Sequence, residues 1–459
     1  MTTPASSREL ADLQAFSADP FSTMARLYRE NGAISTLGAG PMRFRLALGT
    51  EAGAFLLANS HLFSWEAAFA ALAPLTGRSA LLVNDGDRHR RLRRLVTPAF
   101  TARRVGDHLE TVTRHIENAM ADWEPGAVVD VYPALRRAMR LATLESLFGS
   151  AAMDRSEGLD DWLHDIHRAI DTDVVGGSIE RGSGSPVWRR ALLARSSVHR
   201  WVITEIARRG GRAESGHDVL GVLLRGVGPD RLTGDEITDQ LVSLLEAGAE
   251  TTAAQLSWML LCTLRDRPLW TRIAAAVAEH RGAGSGPREL DHLVSETMRL
   301  YPATAVVSRK VASEFTLAGR VFVPGDLVLF SPFHTHRLDS VWREPERFDP
   351  LRWDPGSARY HRPAPHEFLP FGVGPHRCIG AHFATMAIKA AFATLARRID
   401  GELITTEARP AGLIGMHPSG GITVRIDRMR CSPRGGDGGT DRQRNGVDAS
   451  VRPGNGTAR

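Results

Sequence analysis

The segment Phe371-Gly-Val-Gly-Pro-His-Arg-Cys-Ile-Gly380 sets one cysteine among three glycines and a proline, just ahead of a helical pattern running from Ile379 to Arg398. Glycines let a chain bulge and approach a flat object closely. A cysteine at a helix N-terminus meets free amides and the positive end of the dipole, which lower the pKa of a thiol and stabilise its thiolate. Three chemistries are open to Cys378. A lone thiolate suits haem iron, where it donates electron density that favours O–O cleavage. An inert buried thiol is the plainer alternative, and a nucleophile with His376 as its base is the third. Zinc is disfavoured, because no second Cys or His pair stands at ligand spacing.

Three more segments have residue types that could do chemistry. Ala247-Gly-Ala-Glu-Thr-Thr252 puts a glycine and two threonines in mid-helix, where they cost propensity and weaken the local hydrogen-bond ladder. That is either a small-residue packing site or a place where Gly248 makes room for a ligand while Glu250 and Thr251 handle protons. Glu296-Thr-Met-Arg299 puts opposite charges at i, i+3 on one helix face, worth only about 0.2–0.5 kcal/mol if exposed. Asp85-Gly-Asp-Arg-His89-Arg-Arg-Leu-Arg93 is strongly basic, and the i, i+4 spacing lets His89 and Arg93 point at one anion.

Together these segments resemble the cytochrome P450 family over roughly residues 19 to 426. The pattern Phe-x-x-Gly-x-x-x-Cys-x-Gly around Cys378 matches that family's haem-ligand loop at every fixed position. The resemblance implies a mainly α fold with a small β part, a long central helix over the haem, and the cysteine loop on the proximal side. It implies haem b as cofactor, with Cys378 as the axial ligand of the iron. Glu250 and Thr251 are similar to the acid–alcohol pair that relays protons, and His89, Arg93, Arg309 and His376 match propionate-binding positions. By the same resemblance Glu296 and Arg299 are structural and buried, with Arg347 in Pro345-Glu-Arg-Phe348 as the candidate third partner. Arg90, Arg91 and Arg94 are candidates for the docking face of an acidic electron donor. One departure is Ala387, where the family commonly carries Glu; it touches local packing and not haem binding.

The implied activity is a haem-thiolate monooxygenase that uses O2 and two electrons on an apolar small molecule. Substrates of terpenoid, polyketide or fatty-acid type are expected, since the segments expected to line the pocket (Phe63 to Leu82, Leu244 to Glu250, Ala303 to Val307, Leu413 to Met416) are mostly apolar. With no fused flavin or iron–sulfur domain in view, electrons are expected from NAD(P)H through a ferredoxin and a ferredoxin reductase. A peroxide-driven enzyme and a haem-binding sensor or carrier are the alternatives; the retained Glu250-Thr251 disfavours the first.

The elements that must position these residues are mostly helices. Apolar residues recur at three- and four-residue spacing in Arg90–Leu95, Val105–Trp123, Pro133–Phe148, Trp188–Arg209 and Ile379–Arg398. Thr233-Gly-Asp-Glu236 reads as a capping box, and Arg265-Asp-Arg-Pro268 as a stop, so one helix of about 32 residues, roughly 48 Å, crosses the domain. Strands are expected at Arg43–Leu48 and, broken by Gly319 and Pro324-Gly325, between Phe315 and Leu329; Gly176–Ser185 reads as a loop and Pro418-Ser-Gly-Gly421 as a hairpin.

Composition limits the remaining function classes. The chain has 459 residues with a net charge of +5, and its only lysines are Lys310 and Lys389. Residues 428–459 alone hold seven Arg and three Asp, so the rest is close to neutral and nucleic-acid binding is not expected. That Gly/Arg-rich stretch has few apolar residues and is expected to be disordered. The division expected is an N-terminal extension over 1–18, the catalytic domain over 19–427, and the tail. Three scattered cysteines suit a reducing compartment. With no signal peptide or membrane anchor in view, a cytoplasmic monomer is expected.

Overall fold

Thr233 caps the helix that organises the molecule. Its hydroxyl accepts from the Glu236 amide while the Glu236 carboxylate accepts from the Thr233 amide, and the helix then runs unbroken over Gly234–Arg265, 32 residues. The computed structural model describes residues 7–171, 181–209, 218–226, 230–280 and 286–430. In chain order the elements used below are α1 (Ser7–Ala18), α2 (Gly86–Val96), α3 (Ala102–Ala119), α4 (Val131–Phe148), α5 (Leu159–Ile170), α6 (Pro186–Arg209), α7 (the central Gly234–Arg265), α8 (Glu289–Leu300) and α9 (Ala381–Arg398). Apolar side chains occupy most of the circumference of α7, so it must be covered on every side. Helices α4, α6, α8 and α9 pack against it. Trp258 stacks on Tyr301 at 3.8 Å between ring centroids, and its indole N–H donates to the Met416 carbonyl.

A small sheet sits beside this helical body. Its strands are β1 (Ile34–Leu37), β2 (Phe44–Ala47), β3 (Phe63–Ser64), β4 (Val307–Val311) and β5 (Leu327–Phe330), in the order β1-β2-β5-β4-β3. Only β2 and β5 run parallel. The register sets Ser64 opposite Lys310, so Trp65 and Arg309 emerge next to one another. Two further strands, β6 (Arg409–Ala411) and β7 (His417–Ser419), form a separate antiparallel pair.

The expected elements form, with three differences. Residue 19 is not a structural boundary: Leu13 and Phe16 of α1 are buried in a core shared with Phe44 and Leu329. Pro418–Gly421 turns the chain but closes no hairpin, because β7 pairs with β6 whereas Thr423–Met429 pairs with Ile399–Leu403 and Val128–Asp130. Residues 176–180 of the expected Gly176–Ser185 loop, and the tail beyond residue 430, lie outside the described residues, while residues 181–183 are helical.

The third difference concerns the buried pair. Glu296 and Arg299 on α8 are both fully buried, joined by two hydrogen bonds of 2.9 Å. Glu296 also accepts from the Asp349 amide (2.8 Å), the Trp353 indole (2.9 Å) and Arg352 Nε (3.3 Å). The third partner is therefore Arg352 and not Arg347, whose side chain is exposed beside Glu344 and which contributes only its carbonyl, accepting from Arg299. The network continues into His336. Arg299 donates to the His336 carbonyl, His336 Nδ1–H donates to the Arg299 carbonyl, and Nε2 accepts from the Leu369 amide at 2.8 Å. Burial, with Arg299 and Arg337 nearby, takes that imidazole down to about 3 and keeps it neutral, as the acceptor role requires. Leu369 is where the cysteine segment begins, so α8 fixes the loop through one ring. Lys389 of α9 reaches Asp291 of α8 at 2.6 Å and ties the helix that follows the cysteine to the same support.

Removing one member of a buried, matched charge set leaves the others uncompensated. Glu296→Ala should cost about 3–5 kcal/mol in urea unfolding, whereas Arg347→Ala should stay within about 0.5 kcal/mol; equal losses from the two would contradict the assignment of Arg352.

Candidate active site

The cysteine loop is closed by the Cys378 amide donating to the Phe371 carbonyl at 2.9 Å. Gly372 and Gly374 take left-handed φ of +63° and +70°, where a side chain would be strained. Cys378 sits deep in the molecule yet retains accessible surface. Burial pushes its thiol above the ordinary value, while the Gly380 amide and the guanidinium groups of Arg93 and Arg377 pull it down. The lowering expected from the helix start is therefore outweighed: α9 begins at Ala381, and among the amides only that of Gly380 bonds the sulfur.

The cations expected around the site do come together, joined by a residue that carries no motif. Trp65 stacks face to face on His376 at 4.4 Å, and the Arg309 guanidinium carbon lies 3.8 Å from the centroid of the same Trp65 ring. His376 in turn lies 4.0 Å from His89. Its Nε2 is bonded to Asp85, which also accepts from the Ser64 hydroxyl and the Glu66 amide; burial would raise that carboxyl, but these bonds hold it at about 2. Burial lowers His89 to about 4, with help from His376 and Arg93. Arg309 is held down to about 9 by burial, and among the described residues its guanidinium donates to the neighbouring Ser308 carbonyl. Burial lowers Arg93, which lies close enough to Cys378 for the sulfur's charge to work the other way. A cleft of about 360 Å³ runs along His89, Arg93 and Pro375.

The middle of α7 offers a second surface. Most of the helix is buried, yet Ala247 is exposed and Leu244, Gly248 and Thr251 are half-buried. At spacing i, i+3, i+4, i+7 they form one accessible stripe on an interior helix. Leu244 and Ile379, the residue after Cys378, pack on the same apolar cluster.

Glu250 and Thr251 part company in space. The carboxylate turns to α4, where Arg136 Nε and Arg140 Nε each donate to it at 2.6 Å. Burial works to raise that carboxyl, but His167, Arg140 and Arg136 hold it below its usual range. The Thr251 hydroxyl donates to the Ala247 carbonyl at 2.8 Å. At Gly248 a Cβ would come within 3.2 Å of Thr143 Cγ2, so the small residue there also lets α4 pack close. The arginines of α2 are not free either: Arg91 binds Asp230 and Glu236, Arg94 binds Asp230, and Arg90 binds Asp87.

This donor set fits haem. Among the described residues no group of three or more His, Cys, Asp or Glu could hold a metal ion, so a single sulfur suits an iron whose other ligands come from a macrocycle. Arg309, deep and without a carboxylate partner of its own, and Trp65, whose buried Nε1–H has no acceptor, suit an anionic carboxylate.

The cytochrome P450 family model matches residues 10–421. Cytochrome P450 139 of Mycobacterium tuberculosis is 35% identical over 412 residues, covering 87% of this chain and 96% of that protein. Cyclooctat-9-en-7-ol 5-monooxygenase of Streptomyces melanosporofaciens is 29% identical, covering 86% and 88%. Among solved structures, the retinoic-acid-bound cyanobacterial CYP120A1 superposes with a TM-score of 0.80 at 22% identity, over 91% of this chain and 96% of that one.

The depressed pKa of His89 carries a pH dependence. Its folded value of about 4 lies below the ordinary 6.5, so the folded state binds fewer protons between those values. The stability contribution is complete above pH 6.5 and is lost as pH falls to 4. His89→Gln should flatten this part of the stability–pH curve by on the order of 2–3 kcal/mol, read from urea midpoints across the window.

Proposed function

The chain belongs to the cytochrome P450 family and is an oxidoreductase of the monooxygenase kind; from that premise we propose that it inserts one oxygen atom of O2 into an apolar small molecule, by hydroxylation or epoxidation. The single observation that carries this reading is Cys378, a deep but accessible sulfur beside a set of cations with too few acidic partners. When bound, haem b supplies the oxygen-activating chemistry.

The residues of this chain divide the remaining work. The Cys378 sulfur would hold the iron of a bound haem. His89, Arg93, Arg309 and His376 would hold its carboxylates, with His376 oriented by Asp85. Thr251 hands a proton onward at Oγ1, and Glu250 resupplies it after loosening from Arg136 or Arg140. Electrons come from NAD(P)H through a ferredoxin and a ferredoxin reductase. The apolar part of the accessible stripe, Leu244 and Ala247, favours a terpenoid or polyketide substrate in bacterial secondary metabolism. The Streptomyces relative, named for oxidising cyclooctat-9-en-7-ol, supports that class.

Thr251→Ala tests the proton role. Electron consumption should continue while product per electron falls by about tenfold or more, measured as product against reductant consumed. Unchanged coupling overturns the assignment. A sensor or carrier would give ligand-induced spectral change and no product with any electron donor.

A further inference from the structure

We infer that Glu246, one turn ahead of Glu250 on α7, is a positioning residue for the proton relay: it stores the proton that Glu250 receives and takes an arginine in exchange. The inference rests on the relay reading of Glu250 and Thr251. Spacing i, i+4 sets the two carboxyl groups on one face of α7, about 6 Å apart along its axis. That face lies against α4. Arg136 and Arg140, themselves i, i+4, bond Glu250, and Thr143 stands where a Cβ on Gly248 would lie 3.2 Å from its Cγ2. Numbering rises along α4 as it falls along α7, so the turn of α4 that holds Thr143 and Ser146 comes opposite Glu246.

Polar groups outnumber their partners here. Glu246 is buried and its Oε1 has no hydrogen-bond partner among the described residues, and the same holds for the Thr143 and Ser146 hydroxyls. The charges balance without Glu246. Arg140 is shared between Glu250 and Asp160, and Arg136 between Glu250 and His164, so two cations face two carboxylates. A third carboxylate would be uncompensated, and a buried acid in that position keeps its proton. Burial, with the charge of Glu250, accordingly pushes the Glu246 carboxyl well above its ordinary value, while Arg140 and Arg136 pull the other way. Both arginines thus act on both acids. Of the other ionisable groups near this face, His167 and Asp171 of the α5 end, Tyr132 of α4 and His417 of β7 interact with Glu250. Glu145 of α4 is turned to Arg114 and His115 of α3.

A carboxylate held by two guanidinium groups is a poor proton acceptor, and an exchange removes that obstacle. Arg140 or Arg136 passes from Glu250 to Glu246 as the Glu246 proton passes to the Glu250 carboxylate. One acid ends neutral and the other ionised and paired, so the number of interior charges does not change. Once Glu250 has given its proton to Thr251 Oγ1, the arginine returns and Glu246 takes a proton from water. Each proton delivered is replaced by one from solvent.

The first test needs no turnover. Infrared spectra of the haem-loaded full chain at neutral pH should show a carboxylic-acid carbonyl band, shifted in D2O, in the difference between wild type and Glu246→Gln. In Glu250→Gln the freed arginines should ionise Glu246, so the difference between that variant and the double variant should hold this band about fivefold or more weaker. A band that persists there, or none in the wild type, overturns the exchange. The second test measures reductant consumed under O2 with a saturating surrogate ferredoxin and its reductase. Glu250→Gln should slow consumption by about tenfold or more and Glu246→Gln by about threefold or more, each with a larger solvent isotope effect. The double variant should match Glu250→Gln, since both residues lie on one path. Should Glu246→Gln fail to fold, Glu246→Leu replaces it, because the carboxyl has no bond to lose at Oε1. A wild-type rate for Glu246→Gln beside a slow Glu250→Gln overturns the inference and leaves the relay standing. Wild-type rates for both overturn the relay itself.

Discussion

A carboxylate with no exposure to water is the constraint on which this architecture hangs. Stripping Glu296 of solvent is tolerable only because Arg299, Arg352, an indole and an amide all converge on it. Arg299 comes from the same helix and the other three partners from residues 349–353, so satisfying one charge fixes the relative positions of α8, the segment around Asp349 and, through Arg299 and His336, the start of the cysteine loop. The precision of the loop is thus inherited from an electrostatic demand at a distance, and the glycines at 372 and 374 only let the chain comply.

The interior holds ionic groups in three degrees of balance, and the degree separates scaffolding from chemistry. Glu296 is fully matched and rigid. Glu250 is matched by two arginines, each within reach of other partners: Arg140 also binds Asp160, and Arg136 also binds His164. Its bonds can be exchanged without stranding a charge. Around Trp65 the balance fails among the described residues, since Arg309 has only the field of Asp85, a carboxylate already bonded to His376, and Arg93 has Cys378 and Arg377 beside it and no carboxylate. A fold keeps such an imbalance only where something else supplies the missing charge.

Much of this was legible beforehand, for reasons that differ from residue to residue. The long helix was readable because its capping box and its stop are both local signals. The cysteine loop was readable because a flat ligand forces a dense glycine pattern. Trp65 was invisible, being one aromatic residue in an ordinary stretch, and only the pairing of β3 with β4 brings it to Arg309. Arg352 lost to Arg347 because the sequence shows charge but not direction, and Arg347 points outward. Glu250 and Thr251 are neighbours in the chain, yet adjacent helical side chains lie about 100° apart, so their separation could be read only from what each one bonds. The thiol's environment was misjudged because a helix start suggests stabilisation while giving no measure of depth.

The scarcity of lysine gives the molecule two internal sentinels. Cleavage by a lysine-specific protease can occur only after Lys310 and Lys389. Lys310 lies in β4 with hydrogen-bonded strands on both sides, and Lys389 is buried in α9 and bound to Asp291. Neither bond can enter a protease unless its element first opens. The fragments would therefore tell apart two kinds of breathing: a cut after residue 310 would report the sheet that carries Arg309, and a cut after residue 389 would report the helix that follows the cysteine.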